Sequence, residues 1–339
     1  MTEDCTRNGQ NRAQVDLAAP LEVGGVTFRN RVLLAPMSGI TDVPFRRLAW
    51  TMGAGMVTSE MVASEAFCTG KEEMRLKAEG AGLPVHIVQI AGREPGWMAE
   101  AARLAEGCGA ALIDINMGCP ARKVTSGWSG SALMRDLDHA QRLIDATVTA
   151  TRLPVTLKMR LGWDDRSLNA ADLAARAERA GVRLVTVHGR TRCQFYKGRA
   201  DWSKVRAVRD ATRLPLVVNG DITSRDEAIR AFAASGADAV MVGRGAYGAP
   251  WICGEIAGTA AAPSDLCEHV LAHHEGMLTF HGIELGLRMA RKHLNWYLER
   301  LDHAVPASLR LAMMKANAPR EARAAIAACF GRATRALAA

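Results

Sequence analysis

Two side chains able to do chemistry, a thiol and an amine, lie at short apolar segments of this chain. The run Ala110-Ala-Leu-Ile-Asp-Ile115 has the length and composition of a buried parallel strand, and Asn116-Met-Gly-Cys-Pro120 follows it. Gly118 and Pro120 do not continue a strand, so the segment ends by presenting an amide and the Cys119 thiol. Free cysteine is also among the most buried residue types, so a purely structural thiol is the alternative interpretation.

Lys158 lies inside a second apolar run, Val155-Thr-Leu-Lys-Met159. Burying an unpaired charge there would be costly, so this amine needs an anionic partner. A phosphate would serve, and so would an electron-rich ring that gains negative charge on reduction. Gln89, in the run Val85–Ile90, likewise needs a hydrogen-bonding partner if it points inward.

Two glycine-containing segments, Asn219-Gly-Asp221 and Gly243-Arg-Gly-Ala246, follow the last two apolar runs. Loops at these places bind phosphate in parallel barrels through bare backbone N–H groups, although glycines also simply make tight turns. A phosphate-binding site in these loops, the Lys158 cation and the Cys119 thiol together would fit a bound flavin mononucleotide (FMN). Lys158 would then stabilise charge near N1 and O2 of the reduced ring, with Pro36-Met37-Ser38 along the ring edge.

The elements that must position these residues are predicted from eight short apolar runs, which alternate with amphipathic stretches. The stretches include Met98–Glu106, Ala140–Ala150, Ala170–Ala180 and Arg225–Ala234. This alternation is typical of the α/β class and favours a (β/α)8 TIM barrel over an open sheet. The predicted strands are Val32–Ala35, Gly55–Thr58, Val85–Ile90, Ala110–Ile115, Val155–Met159, Leu184–Val187, Leu216–Asn219 and Ala239–Val242.

Beyond Gly248 the pattern becomes helical, which predicts a C-terminal all-helical domain. We therefore expect a disordered extension at 1–20, a barrel at 21–257 and helices at 264–339. Six of the nine histidines fall in the helical part, and we interpret them as lying on solvated helix faces. One basic and aromatic stripe at helical spacing either binds RNA or is a core stripe beside exposed charges: Arg288, Arg291, Lys292, Trp296, Tyr297 and Arg300.

Composition narrows the class of protein. Of 339 residues 49% are hydrophobic and 23% charged, and the net charge of +8 mildly favours a polyanionic partner, although a merely basic soluble enzyme has the same balance. The eight cysteines form no CxxC or zinc pattern, so we expect no metal and a reducing cytoplasm. No apolar run is long enough to span a membrane, and the polar first twenty residues do not resemble a targeting peptide.

Taken in order, these motifs resemble the tRNA-dihydrouridine synthases, most closely the bacterial B-type. The likeness covers roughly Leu21 to Ala327. Asn-Met-Gly-Cys-Pro together with Gln89, Lys158 and Asn-Gly-Asp is its most specific part. The matching segments are Ala35–Asp42, Ser59–Met61, Val88–Gly92, Asp114–Pro120, Thr156–Arg160, Val187–Arg192, Asn219–Ile222, Met241–Ala246 and Ala290–His293.

The resemblance implies an FMN-binding barrel, a helical tRNA-binding domain and reduction of a uridine in the tRNA D loop. It makes Cys119 the proton donor and Asn116 and Arg190 candidates for contact with uracil or tRNA. Ser38 departs from the alanine that is commoner in the family, but a backbone contact survives that change. The implied flavin contacts are Pro36, Met37, Ser38, Gln89, Lys158, His188, Asn219, Gly220, Asp221, Gly243 and Arg244.

Reduction of the uracil C5–C6 bond requires hydride at C6, which reduced flavin can give from N5, and a proton at C5. A thiol with a pKa of about 8.5 is still protonated at neutral pH, so Cys119 can be that acid, provided that no nearby cation or helix N-terminus lowers its pKa. NADPH (or NADH) is expected to dock transiently at the flavin site and not in a dinucleotide-binding domain of its own.

Two other functions remain open at this point: an FMN barrel acting on a small molecule such as a free pyrimidine, and a non-catalytic RNA-binding protein. The helical tail and the basic excess favour tRNA as the substrate. We expect a monomer.

Overall fold

The computed structural model describes residues 16–331 and consists of a ring of parallel strands followed by packed helices. The strands of that range are β1 (Leu21–Val23), β2 (Val26–Phe28), β3 (Val32–Leu34), β4 (Val62–Ala63), β5 (Ile87–Ala91), β6 (Leu112–Met117), β7 (Val155–Arg160), β8 (Leu184–His188), β9 (Leu216–Asn219) and β10 (Ala239–Val242).

The α-helices alternate with the strands as far as β10 and then follow one another. Short 3₁₀ turns lie at Gly130–Arg135, Ser203–Val205 and Arg244–Ala246. The α-helices are α1 (Val43–Thr51), α2 (Ser64–Cys68), α3 (Glu72–Ala78), α4 (Pro95–Gly107), α5 (Arg122–Thr125), α6 (Leu137–Ala150), α7 (Ala170–Ala180), α8 (Arg206–Ala211), α9 (Arg225–Ser235), α10 (Ile252–Ala257), α11 (Leu266–His281), α12 (Ile283–Leu298), α13 (Ala307–Lys315) and α14 (Pro319–Phe330).

The sheet confirms the predicted TIM barrel. Its eight strands are parallel, in the order β3-β10-β9-β8-β7-β6-β5-β4. Backbone hydrogen bonds continue the ring between its two ends: Gly55 N donates to Val32 O over 2.8 Å, Leu34 N donates to Met56 O over 2.9 Å, and Ser59 N donates to Ile87 O over 3.0 Å. All strands therefore direct their carboxyl ends to one face, where parallel barrels bind ligands.

One predicted strand differs. Gly55–Thr58 runs between β3 and β5 but is not a regular strand, and the strand that pairs with β5 is the later, two-residue β4. A Cβ at Gly55 would lie 2.3 Å from the backbone oxygen of Asn30. Only glycine fits at this close approach to Asn30, a feature that often marks an irregular place in a strand pattern.

The barrel interior is apolar at one end and polar at the other. The β1–β2 hairpin places Val23 and Phe28 in a buried cluster with inward-facing side chains such as Leu33, Leu112 and Val217, which closes the amino-terminal end. Alternate residues of each strand face inward, so the polar side chains nearer the carboxyl ends share one interior surface. That surface is where the predicted site residues lie.

The expected extension at 1–20 lies outside the described residues as far as residue 15. From Asp16 onward the chain is packed against the barrel: Leu17 is fully buried, and its carbonyl accepts a hydrogen bond of 3.0 Å from Arg31 N. The packed barrel domain therefore includes residues 16–20 and does not start at Leu21.

The C-terminal helices pack against the barrel through the basic and aromatic stripe of α12. Tyr297 is 1% exposed, Trp296 stacks on Tyr247 with ring centroids 4.0 Å apart, and Lys292 donates to the Gly39 carbonyl. Arg300 donates to the Gly245 carbonyl over 2.7 Å. Lys292, Trp296 and Arg300 therefore belong to the interface between the helical part and the barrel, whereas the Tyr297 hydroxyl lies 3.0 Å from His273 Nδ1 on α11. The aromatic residues thus follow the core alternative considered above, but Lys292 and Arg300 bond to the barrel and are not merely exposed charges beside it.

The interpretation of the C-terminal histidines as solvated is wrong for three of them. His273, His274 and His293 are 2%, 4% and 1% exposed. Burial lowers the pKa of His273 to about 4, so its ring is neutral at neutral pH. The ring of His293 lies 5.4 Å from that of Phe45 on α1, so the histidines form part of the packing between helices and barrel.

A prediction tests this interface. Gly248 has φ +64°, and a Cβ there would lie 2.3 Å from the Trp296 carbonyl oxygen on α12. Gly25 has φ +89° but has nothing within 4 Å of such a Cβ. We expect Gly25→Ala to lower the free energy of unfolding by about 1 kcal/mol through backbone strain alone, and Gly248→Ala by about 3 kcal/mol because α12 must also move.

Denaturant unfolding of both variants measures this difference. Equal losses would show that the contact between Gly248 and α12 contributes nothing beyond the backbone conformation.

Candidate active site

A cavity of about 1710 Å³ opens at the carboxyl ends of the strands. It exceeds the roughly 300–1,000 Å³ of an ordinary small-molecule pocket, so it has room for more than one ligand group. The residues predicted from the sequence all line this cavity: Pro36, Met37, Ser38, Gln89, Asn116, Cys119, Lys158, His188, Arg190, Asn219, Gly220, Asp221, Gly243 and Arg244.

The loop that carries the thiol is held from inside the barrel. Asn116 Oδ1 accepts hydrogen bonds from the backbone N–H groups of Gly118 (3.1 Å) and Cys119 (2.9 Å). Asn116 Nδ2 donates to Gln89 Oε1 over 2.8 Å, and Gln89 Nε2 donates to Asp114 Oδ2 over 2.7 Å. Buried polar groups that are satisfied in this way are rigid, so the three side chains fix the position of Cys119.

This chain of bonds changes the expected roles of two residues. Gln89 and Asn116 are 1% and 8% exposed, and the bonds above use two of the four side-chain hydrogen-bonding positions of Gln89 and three of the four of Asn116. Both residues line the cavity, but their observed contacts hold the Cys119 loop. The predicted contacts of Gln89 with flavin and of Asn116 with uracil or tRNA can use only the amide donors and acceptors that are free of these bonds.

Ser131 and Arg160 also hold the backbone of the loop that carries the thiol. The Cys119 carbonyl accepts from Ser131 Oγ over 2.8 Å, and Arg160 Nε donates to the Gly118 carbonyl over 2.8 Å. Burial raises the pKa of the Cys119 thiol, and this effect outweighs the lowering by the Ala121 backbone N–H and by nearby cations. The thiol therefore remains protonated at neutral pH, as an acid at this position requires.

Lys158 is the central cation of the cavity. Its Nζ donates to Asn219 Oδ1 over 3.1 Å, and Asn219 Nδ2 donates to the Met241 carbonyl over 2.7 Å. Within residues 16–331 no carboxylate forms an ion pair with this amine. Burial lowers its pKa to about 8, and the nearby positive Arg160 contributes to that shift. The site thus holds a desolvated amine that an anionic ligand would stabilise.

Arg190 has a different environment from the one that its predicted role implies. It is 1% exposed, and its guanidinium donates to both carboxylate oxygens of Asp221, at 3.0 and 2.5 Å. It also donates to the carbonyls of Lys197 and Gly198 and to His188 Nε2. All five of its N–H groups are engaged, so Arg190 positions the surrounding loops, and contact with uracil stays a prediction.

His188 is neutral because burial, together with several nearby cations, holds its pKa well below the ordinary value. Since its Nε2 accepts from Arg190 over 3.2 Å, the ring proton lies on Nδ1. Among the described residues nothing accepts from Nδ1, which leaves it able to donate to a ligand in the cavity.

The cavity wall is positively charged, with nine Lys or Arg side chains and five Asp or Glu side chains. Arg244 donates to Asp221 over 3.1 Å and lies with its guanidinium 5.1 Å from the Tyr196 ring centroid. This excess favours an anionic ligand. Within the described range no cluster of three or more His, Cys, Asp or Glu is arranged to hold a metal ion, and no helix there has the length and hydropathy needed to cross a membrane.

Several residues that build the site were missed as candidates: Asp114, Ser131, Thr156, Arg160 and Tyr196. Period-two alternation along β6 and β7 could have found three of them, since Asp114, Thr156 and Arg160 share the inward face with Asn116 and Lys158. Ser131 carries no such signal, because only folding brings it to the Cys119 carbonyl.

Known proteins of one family are similar to this chain over most of its length. The family model described as "Dihydrouridine synthase (Dus)" matches residues 33–335. A probable tRNA-dihydrouridine synthase of Rhizobium leguminosarum bv. phaseoli is 54% identical over 298 residues, covering 87% of this chain and 94% of that protein. A protein of Xanthomonas campestris pv. campestris named tRNA-dihydrouridine synthase B is 44% identical over 308 residues, covering 88% and 92%.

Solved structures share the fold at low sequence identity. A mutant of morphinone reductase in complex with tetrahydroNAD has a TM-score of 0.54 and 15% identity, and the match covers 74% of this chain and 92% of that one. This likeness agrees with the barrel described above.

Proposed function

Because the chain belongs to the dihydrouridine synthase family, we propose that it is an FMN-dependent tRNA-dihydrouridine synthase that reduces the C5–C6 bond of a D-loop uridine with electrons from NADPH or NADH. The observation that carries this proposal is one shared cavity with two features. Its inner surface holds the half-buried Lys158 amine, which has no carboxylate partner among residues 16–331, and its wall holds the protonated Cys119 thiol.

The residues present fit an FMN group. Lys158 and the Nδ1–H of His188 offer a cation and a donor to the ring, and the backbone of Pro36–Ser38 edges the same cavity. The loops at 219–221 and 243–246, with the Arg244 guanidinium, would hold the phosphate. When bound, FMN supplies the hydride for uracil C6.

The protein's own residues complete the reaction. Cys119 donates its proton to C5, and the bonds from Asn116, Ser131 and Arg160 hold the thiol's loop in place for that transfer. Because burial raises the pKa of the Cys119 thiol, the thiol is protonated at neutral pH and can donate its proton. The uridine must leave its stack to enter the cavity, and phosphate contacts with the basic surface offset this cost of a few kcal/mol.

Two features support docking of the nicotinamide in the same cavity. Its volume of about 1710 Å³ exceeds what one ring system fills. The segment with GxGxxG spacing, Gly243–Gly248, lies at this same cavity and not at a separate dinucleotide site. The morphinone reductase mutant of similar fold is a complex with tetrahydroNAD. We propose further that the protein acts as a monomer on tRNA in the cytoplasm.

The proposed function is tested on the purified protein and on cells. We expect the protein to be yellow, its reduced flavin to be reoxidised by unmodified tRNA but not by free uracil, and one D-loop uridine to gain the mass of two hydrogen atoms. Transfer RNA from cells lacking the protein should lack that increment. Rapid reoxidation by a free nucleobase, with tRNA inert, would make the protein a small-molecule reductase instead.

A further inference from the structure

A stack of alternating aromatic and guanidinium groups lies beside the cavity and takes no part in the site described above. The Arg135 guanidinium lies 5.3 Å from the Trp128 ring centroid and 4.9 Å from that of Trp163. The Arg192 guanidinium lies 4.8 Å from the same Trp163 ring. Cation–π contacts of this kind hold both rings and cations in place.

Trp128 is the end of this stack and is unusual in two respects. It is 53% exposed, and its φ of +54° is a strained value for a residue with a large side chain. Its neighbours Gly127 and Ser129 line the cavity, whereas Trp128 itself lines an open groove of about 510 Å³ outside. The loop from the Cys119 thiol therefore directs a large aromatic ring to the rim of the cavity.

The strained conformation is held by the rest of the loop. Trp128 N donates to Thr125 O over 3.2 Å, and Ser129 N donates to Val124 O over 3.3 Å. Phe195 and Asp221 also have positive φ values, and both line the cavity. Strained residues persist where the surrounding structure fixes them, and they cluster at binding sites. Burying an apolar surface does not explain this conformation, because the ring is left half exposed.

The groove beside Trp128 is lined by two arginines and two aspartates, and Arg135 is the arginine that an anionic partner would meet. Within residues 16–331 Arg135 forms no ion pair, while the acidic groups of the groove are already engaged. Asp138 pairs with Arg176 over 2.6 Å, and Asp136 Oδ1 accepts from His139 N as the cap of α6. An exposed aromatic face beside an unpaired guanidinium is the arrangement with which proteins stack a base and hold its backbone.

We propose that Trp128 is a stacking platform for an unpaired base of the tRNA next to the uridine that enters the cavity, with Arg135 facing the adjoining phosphate. The inference rests on the proposed function, since it names how the same substrate is held outside the cavity. It assigns Trp128 and Arg135 to substrate binding and not to the chemical step.

The test compares tRNA affinity of the native protein with that of Trp128→Ala, Trp128→Tyr and the control Ile229→Ala, an exposed apolar residue on the outer helix α9 (41% exposed). Loss of a stacked base weakens binding about tenfold, so we expect that increase in Kd and in KM for Trp128→Ala, with kcat unchanged. Trp128→Tyr should restore most of the affinity, and Ile229→Ala should match the native protein.

Two further readouts separate stacking from other causes. The slope of log Kd against log salt should not change in Trp128→Ala, because no phosphate contact is lost, whereas Arg135→Gln should reduce it by about one. Flavin content and melting temperature should stay at native values in both, which excludes misfolding.

Unchanged Kd and KM in Trp128→Ala, in a protein whose native form makes dihydrouridine, would overturn the inference and leave the proposed function intact. Equal weakening by alanine and tyrosine would also overturn it, since packing rather than stacking would then be the cause. A native protein that neither binds nor modifies tRNA would instead remove the proposed function.

Discussion

A Cys119→Ala variant is expected to retain FMN and tRNA binding but to form dihydrouridine about 10²- to 10⁴-fold more slowly, the range that a positioned general acid contributes. The physical reason is that, in the proposed orientation of the flavin, no other acid is positioned beside C5. The His188 ring is neutral, the Asp114 carboxyl is buried and engaged with Gln89 and Thr156, and the Lys158 ammonium faces the flavin ring. Single-turnover kinetics with pre-reduced enzyme measure the step directly.

The control is Cys108→Ala, which removes an exposed thiol at the end of α4. It should react at the native rate. A Cys119→Ala enzyme that worked as fast as Cys108→Ala would show that the proton comes from another source, such as water.

The pH dependence follows from the direction of the thiol pKa. Since burial raises the pKa of Cys119 above its ordinary value, the thiol is protonated at neutral pH, and its contribution to activity is lost as pH rises through that raised pKa. Lys158 loses its charge in the same direction, from about pH 8. The pH–rate profile of the Lys158→Met variant should therefore show only the loss of activity that is due to the thiol, which occurs at a higher pH than the loss due to Lys158.

The second large effect concerns the cation itself. Lys158→Met should lower the midpoint potential of the bound flavin by about 30–60 mV, because the reduced ring is the more negative form and loses roughly 1.4–2.8 kcal/mol of stabilisation. Methionine keeps the length of the side chain and its packing. The Asn219 amide, which accepts from Lys158, still donates to the Met241 carbonyl.

Lys77→Met is the matched control, because Lys77 lines the same cavity but is paired with Glu73 at 2.6 Å. Spectroelectrochemical titration of both variants gives the potentials. Equal potentials for the Lys158→Met and native proteins would mean that the amine does not face the ring, and the proposed orientation of FMN would be wrong.

The sequence predicted where the chemistry lies because strand ends in a parallel barrel share one face. The apolar runs ending at Asn116, Lys158 and Asn219 needed only to be strands for their last residues to meet, and the structure brings them to one cavity. Strand periodicity is local, so it can be recognised in a single chain. The Gly55–Thr58 segment shows the limit, since this apolar run takes its place beside β3 without regular strand structure.

The roles of the buried polar residues were decided by tertiary structure alone. Gln89 and Asn116 were expected to contact ligands, and their observed bonds hold the thiol loop, while Arg190 is engaged by Asp221 and by loop carbonyls. A side chain's partners come from segments distant in sequence, such as Ser131 to Cys119.

The same reason explains the C-terminal helices. Their spacing predicts an amphipathic helix, but whether its aromatic and basic stripe faces solvent or a neighbour depends on what packs against it. Trp296 stacks on Tyr247 of the barrel, and Tyr297 is buried with His273 and His293. Residue types and their spacing thus determined the fold class and the place of the chemistry, which are local and periodic properties. Only the folded chain decided which polar groups are free to act, because that depends on long-range hydrogen bonds and burial.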